Sequence, residues 1–165
     1  MELDLPDEAY EHAATIESKL GETFSIHDLI KYVSGERNKK IVMGEKLIHT
    51  AFFGVCFSFI NCDLIIMVPG LSKRLYIFTI IHELIHVLRN EAVHYNKIYD
   101  RELHNNIFSY EGLHRGAAVL YEDLSEETKR KEDIAESTAT LIFGHVWRDE
   151  ESIPAMVQRI YGYRE

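Results

Sequence analysis

The first part of the chain has a pattern typical of helix and then of strand. Residues 7–20 predict a helix that Gly21 ends, and Ser25 is a suitable N-cap for a second, shorter helix that we expect Gly35 to end. Three short runs rich in β-branched and aromatic residues follow, "KKIVM", "FFGVCFSFI" and "DLIIMV". They predict a small antiparallel sheet over about 40–68, with "NCD" as the turn before its last strand.

A long segment from residue 72 to about residue 90 is apolar on almost every side of a helix, so we expect a buried helix there. One stripe of this helix differs, because polar residues recur on a single face. The members of this polar stripe are Thr79, His82, Glu83, His86 and Asn90. Burying such a stripe is costly unless something satisfies its polar groups.

The rest of the chain is predicted to be mainly helical. The insert at 91–123 is rich in histidine and tyrosine and fits no single element. Asp123 and Glu126 form a capping box for a helix that runs to about Trp147. A short last helix is expected to begin near Ser152 and Pro154 and to end at Gly162.

The expected fold class is α+β, in one domain over residues 1–165. Its helical N-terminal part covers about 1–36, and its small antiparallel sheet covers about 40–68. The sheet packs against a zincin-like bundle of helices at about 72–147, one of which carries "HELIH".

Composition and charge exclude several classes of protein. The 165 residues carry a formal net charge of -9, which argues against a surface that binds DNA directly and leaves room for a basic protein partner. Two cysteines, Cys56 and Cys62, are too few for a disulfide framework, so we expect buried free thiols. The acidic N-terminus resembles no signal peptide and no run is apolar enough to span a bilayer, so we expect a cytoplasmic protein with no membrane association.

The polar stripe contains the pattern H-E-x-x-H. His82 and His86 are about one helical turn apart, so both imidazoles can bind one ion, and imidazole suits Zn²⁺. Glu83 lies about 100° further round the helix, where it misses the ion but can take a proton from water that the ion activates. The alternative is a pair of core histidines that bond to neighbouring carboxylates or backbone groups.

A third ligand is expected from "KEDIAESTATLIF", because catalytic zinc usually keeps three protein ligands. Glu132 and Glu136 share a helical face with Ala135 and Ala139, and the two alanines would allow close approach to the first helix. Both glutamates qualify by geometry. The alternative is that both are exposed acids on an amphipathic helix.

From about Gly54 to Phe143 the chain resembles the ImmA/IrrE-like metallopeptidases. The resemblance lies in the hairpin and loop "CDLIIMVPGLSKR", in "FTIIHELIH" and in "EDIAESTATLIF". The family has Phe-Thr two residues before its motif, and a later glutamate followed at three and seven positions by small residues. That spacing favours Glu132 over Glu136 as the third ligand.

The resemblance implies a zinc-dependent endopeptidase, with one Zn²⁺ per chain and Glu83 as the catalytic base. It also implies a regulatory protease that cleaves a helix-turn-helix transcriptional repressor. The alternative is a metal-stabilised interaction module that inactivates a regulator without cutting it. For a protease, we expect an extended substrate beside the strands at 53–68, with the insert at 91–123 as the opposite wall of the cleft.

Overall fold

The computed structural model describes residues 4–46, 53–105 and 124–147, and in these ranges the fold is α+β. The helices are α1 (Asp7–Leu20), α2 (Ile26–Arg37), α3 (Lys73–Leu88), α4 (Arg101–Asn105) and α5 (Glu126–Phe143). The strands are β1 (Phe24–Ser25), β2 (Lys40–Glu45), β3 (Gly54–Ser58), β4 (Cys62–Met67), β5 (Val93–His94) and β6 (Val146–Trp147).

The main sheet is mixed, in the order β2-β4-β3-β5. Strands β3 and β4 form the expected antiparallel hairpin, but β2 pairs with β4 in parallel and β5 pairs with β3 in parallel. The prediction of a wholly antiparallel sheet is therefore wrong. The prediction failed because β2 pairs with the edge of β4 that is opposite to β3. Strand sequences alone do not specify which neighbour a strand pairs with. Every residue of β4 is buried, as expected for a central strand.

Both faces of this sheet are covered. The main hydrophobic cluster joins one face, through Met43, Cys56 and Ile65, to helices α1, α2, α3 and α5. A smaller cluster covers the other face, where Phe57 and Leu64 pack against residues of the segment 95–103. The alternation of strand side chains between the two clusters follows from the pleat.

The helix starts depend on local side-chain caps. Ser25 caps α2 in a capping box with Asp28, and the Ser72 side chain accepts a hydrogen bond from the backbone N–H of Leu75 at the start of α3. Gly35 does not end α2, which continues to Arg37 and closes at Asn38 with a φ of 50°. An asparagine tolerates this left-handed conformation, so the glycine is not needed as the stop.

The ends of α3 and α5 also differ from the predictions. Helix α3 ends at Leu88, and Asn90 has left the helix with a φ of 59°, so it does not belong to the polar stripe. Helix α5 is capped by Ser125 rather than by Asp123, which lies outside the described residues. It ends at Phe143, before the short strand β6, which pairs with β1. The helix expected near 152–162 also lies outside the described residues.

A partly buried polar network joins α2 and the end of α3 to the sheet. The Arg37 guanidinium donates to both carboxylate oxygens of Asp63, at 3.1 and 3.3 Å, and to the Oδ1 atom of Asn90 at 2.8 Å. The Asp63 side chain has no solvent exposure. This pairing satisfies a charge that would otherwise be costly to bury.

None of the helices in the described ranges has both the length and the apolar character needed to cross a membrane.

Candidate metal centre

Helices α3 and α5 pack directly against each other, and α3 also contacts strands β3 and β4. Ala135 and Ala139 are fully buried on α5, in agreement with the prediction that these two small residues allow close approach to α3. They belong to the same hydrophobic cluster as Ile81, Leu84 and Ile85 of α3. The close packing of the two helices places polar side chains of α3 opposite Glu132 of α5.

Three side chains converge at this contact. The Nε2 atom of His82 lies 3.0 Å from Oε2 of Glu132, and the Nε2 atom of His86 lies 3.1 Å from Oε1 of the same carboxylate. The two Nε2 atoms are 3.1 Å apart. One potential ligand atom from each residue lies within 4.8 Å of the others, so the triad could hold a metal ion.

The other ring nitrogen of each histidine faces a carboxylate outside the triad. His82 Nδ1 lies 2.9 Å from Oε2 of Glu136, and His86 Nδ1 lies 3.1 Å from Oε1 of Glu91. These partners favour a proton on each Nδ1 atom, which leaves the Nε2 lone pairs aimed into the triad. Carboxylates commonly orient metal-binding histidines in this way. Glu136 therefore lies behind His82, whereas Glu132 reaches both histidines.

The donor set fits a metal ion. With both Nδ1 atoms protonated, two imidazole lone pairs and a carboxylate face one another at 3.0–3.1 Å, an arrangement that only a cation or protons can satisfy. Ligands about 2.0–2.1 Å from a tetrahedral zinc ion are about 3.3 Å apart, which is close to the observed spacing. The side chains thus need only small shifts to bind an ion.

The electrostatics of the triad favour a positive charge. Burial by itself would lower the pKa of His82 and of His86. Hydrogen bonds outweigh it: those to Glu132 and Glu136 raise the pKa of His82 to about 10, and those to Glu132 and Glu91 raise the pKa of His86 to about 9. Burial opposes the charge of Glu132, yet its bonds to both histidines lower its pKa to about 2. Protons are thus the competitors that a metal ion must displace here.

Glu83 lies beside the triad rather than in it. Its side chain is almost fully buried, with 6% exposure of the residue, and burial raises its pKa while the charges of His82 and His86 partly oppose that rise. The thiol of Cys56 lies beside Glu83, and burial, together with the charge of Glu83, keeps the pKa of that thiol well above its ordinary value. Glu83 is thus a buried carboxylate held next to the triad.

Gly54 allows α3 to approach strand β3 at the level of Glu83. A Cβ atom at this position would lie 3.0 Å from Cγ2 of Thr79, 3.1 Å from Cγ of Glu83 and 3.3 Å from Sδ of Met67. These distances are shorter than ordinary van der Waals contacts, so any side chain here would push against the carboxylate or the helix.

Two cavities reach Glu83 and Gly54. One, of about 250 Å³, continues past His86 and Glu132, and the other, of about 230 Å³, continues past His82 towards Phe78. The second shares Phe78 with a further groove beside Phe143. A molecule longer than a single side chain could therefore approach Glu83 from both sides.

The edge of β3 that borders these cavities carries free backbone groups, as far as the described residues show. Phe53 and Phe59 bond to the β4 side, so the alternating N–H and C=O groups of Gly54 and Cys56 point the other way. Strand β5 pairs with β3 only at Phe57 and Ser58. The backbone of Gly54 and Cys56 can thus accept an additional extended strand.

The described part of the His- and Tyr-rich insert reaches the cavity beside His86 through Glu91 and Val93, and its role as the opposite wall of the cleft stays a prediction. His104 contacts the Tyr99 hydroxyl, and Tyr99 belongs to the cluster on the other face of the sheet. His94 is exposed on β5, although its neighbour Val93 lines one cavity. His114, with the rest of the insert from residue 106, lies outside the described residues.

Three contributors to the centre are not predicted from the sequence: Glu91, Cys56 and Gly54. Glu91 follows Asn90, a residue suited to the left-handed turn that ends a helix, and that signal could have indicated a chain reversal towards His86. Nothing in the local sequence indicates that Gly54 and Cys56 face Glu83, because that contact depends on how α3 packs on the sheet.

Comparisons with known protein families, with curated proteins and with solved structures found no match to this chain.

Proposed function

We propose that the chain is a zinc-dependent endopeptidase of the ImmA/IrrE-like kind, with a zincin-like arrangement of helices. The observation that carries this proposal is the convergence of His82, His86 and Glu132 with the buried carboxylate of Glu83 directly beside them. Two histidines and one glutamate are a common protein ligand set of catalytic zinc, which keeps a further position for water or substrate. In that position zinc supplies Lewis acidity, which polarises a carbonyl and acidifies water.

Glu83 supplies the proton transfers. Its carboxylate takes the proton of the attacking water, holds it while the carbon–nitrogen bond breaks, and delivers it to the leaving amine. The contact with the Cys56 thiol and the close packing of Gly54 limit the positions that this carboxylate can take. The role requires a group that alternates between charged and neutral forms, which an amide of the same shape cannot do.

The substrate is an unfolded, extended segment of a protein. It would add to the edge of β3 at Gly54 and Cys56 through backbone hydrogen bonds, which need little sequence specificity. We propose a helix-turn-helix transcriptional regulator as this partner. Its basic DNA-binding surface would be attracted to a chain with a net charge of -9.

The test is co-expression with a helix-turn-helix regulator that is encoded beside this chain. Wild type should cut the regulator, Glu83→Gln should leave it intact, and Glu36→Gln, which removes an exposed charge outside the centre, should cut as wild type does. Cleavage by Glu83→Gln would contradict the proposed base. An intact regulator that nevertheless loses DNA binding with both wild type and Glu83→Gln would support an interaction module instead.

A further inference from the structure

The turn directly after α3 returns the chain to the metal centre. Asn90 adopts the left-handed conformation, the N–H of Glu91 donates to the carbonyl of His86 at 2.9 Å, and the N–H of Asn90 donates to the carbonyl of Val87 at 3.0 Å. This pair of bonds is the Schellman motif that ends many helices. Its effect here is to reverse the chain within three residues and to place the side chain of Glu91 beside His86.

Glu91 is bonded and buried at that position. Its Oε1 atom lies 3.1 Å from Nδ1 of His86 and accepts a second hydrogen bond from Nε of Arg89, also at 3.1 Å. The side chain of Glu91 is only 7% exposed. A buried carboxylate with two charge-compatible partners is held in one orientation, and here that orientation fixes the ring of His86.

Arg89 is held in turn by α1. Its guanidinium lies 3.4 Å from a carboxylate oxygen of Glu8 and also contacts the ring of His12. Glu8 is also paired with Arg130, two residues before Glu132 on α5. The same acid thus contacts both segments that carry the triad, the residue after the end of α3 and the N-terminal part of α5.

We propose that Glu91 is a positioning residue for metal binding, and that Arg89 holds Glu91 in place. Glu91 keeps the proton of His86 on Nδ1, so that Nε2 faces His82 and Glu132, and its charge makes the imidazole a stronger ligand. Glu136 has the equivalent position behind His82, but it is 59% exposed, so water can replace it. The inference rests on the metal centre of the proposed function, and not on peptide cleavage.

The test is the zinc affinity of the full chain, measured by competition with a chromogenic chelator. Glu91→Gln keeps the size of the side chain and an acceptor atom but loses the charge, and it should weaken zinc binding by roughly 10- to 100-fold. Glu136→Gln should weaken it by a clearly smaller factor. Glu36→Gln, with the same change of charge at an exposed residue outside the centre, should leave the affinity unchanged.

A second measurement separates positioning from a merely structural role. Thermal unfolding with excess chelator reports the stability of the metal-free fold alone. In this measurement Glu91→Gln should unfold at a temperature close to that of wild type, although its zinc affinity is reduced. An unchanged zinc affinity in Glu91→Gln, or a loss no larger than in Glu136→Gln, would overturn the proposal. If Glu91→Gln does not fold, Arg89→Gln serves instead. It leaves the bond between Glu91 and His86 in place, so it should give an intermediate loss of zinc affinity. An unchanged zinc affinity in Arg89→Gln would overturn the proposal.

The failure of this inference can be told apart from that of the proposed function. A wild-type chain that binds no zinc would overturn both. Zinc binding that depends on Glu91, in a chain that cuts no peptide bond, would support the positioning role and count against the endopeptidase.

Discussion

At the scale of single residues, the chemistry depends on the different positions of four glutamates around two histidines. Glu132 bridges both Nε2 atoms, Glu136 lies behind His82, Glu91 lies behind His86, and Glu83 is adjacent but bonded to neither ring. A glutamate at this centre is therefore a candidate ligand, a hydrogen-bond partner of a ligand or a proton acceptor, according to its position around the two histidines.

Glu83→Gln should retain zinc and the fold but lower the rate of peptide cleavage by roughly 10²- to 10⁴-fold, the usual contribution of a general base. The amide has nearly the same shape and cannot take the proton. Zinc content and thermal unfolding serve as controls, and the rate on a cleaved substrate is the measurement. A rate within a few-fold of wild type would remove Glu83 from this role.

Glu132→Ala should weaken zinc binding far more than Glu136→Ala, because Glu132 reaches both histidines and Glu136 only the Nδ1 atom of one. Equilibrium dialysis against zinc measures both affinities. The reverse order would move the ligand one helical turn along α5, which is the alternative that sequence spacing alone left open.

At the scale of elements, the position of α3 against β3 depends on the absence of a side chain at Gly54. Gly54→Ala should cost roughly 1–3 kcal/mol of stability through overpacking, and it should lower cleavage more than zinc affinity because the new methyl presses on Glu83.

A matched control is Gly35→Ala. Gly35 lies inside α2 with open space around it, so this change should raise the free energy of unfolding by about 0.5–1 kcal/mol. Chemical denaturation measures both variants. A Gly54→Ala protein as stable and active as wild type would show that α3 can move away from the strand at no cost.

The contact between α2 and the sheet depends on the pairing of Arg37 with Asp63. Arg37→Met should destabilise the fold by roughly 3–5 kcal/mol, because it leaves the Asp63 charge buried without its partner. Adding Asp63→Asn should recover part of this loss, as measured by chemical denaturation. A loss below about 1 kcal/mol in the single variant would mean that water solvates this carboxylate.

What the sequence predicts well in these elements is local. The cap at Ser25 and the polar stripe from Thr79 to His86 involve residues within one or two helical turns, and the structure has them as expected. The parallel pairing of β2 with β4 and the contact of Glu83 with Cys56 join residues far apart in the chain. No periodicity or cap records such contacts, since they depend on how whole elements pack.

At the scale of the whole molecule, the candidate centre connects segments that are distant in sequence. Helix α3 supplies His82 and His86, α5 supplies Glu132, and α1 contacts both through Glu8. An ion bound there would therefore act as a cross-link within the fold.

Zinc should accordingly stabilise the folded chain, by about 2.7 kcal/mol when free zinc is 100 times its dissociation constant. A chelator should remove this stabilisation and so lower the unfolding temperature of wild type. It should have no effect on His82→Ala, which lacks one of the ligands. An equal response to chelator in both proteins would place the stabilising metal elsewhere.

The most direct test of the centre is the zinc X-ray absorption spectrum of the purified, zinc-loaded wild type. His82, His86 and Glu132 predict a shell of nitrogen and oxygen ligands at about 2.0–2.1 Å, with the outer scattering that is typical of imidazole. A sulfur shell at about 2.3 Å, which would implicate Cys56, would contradict the assignment of this triad. So would a wild-type chain that retains no zinc.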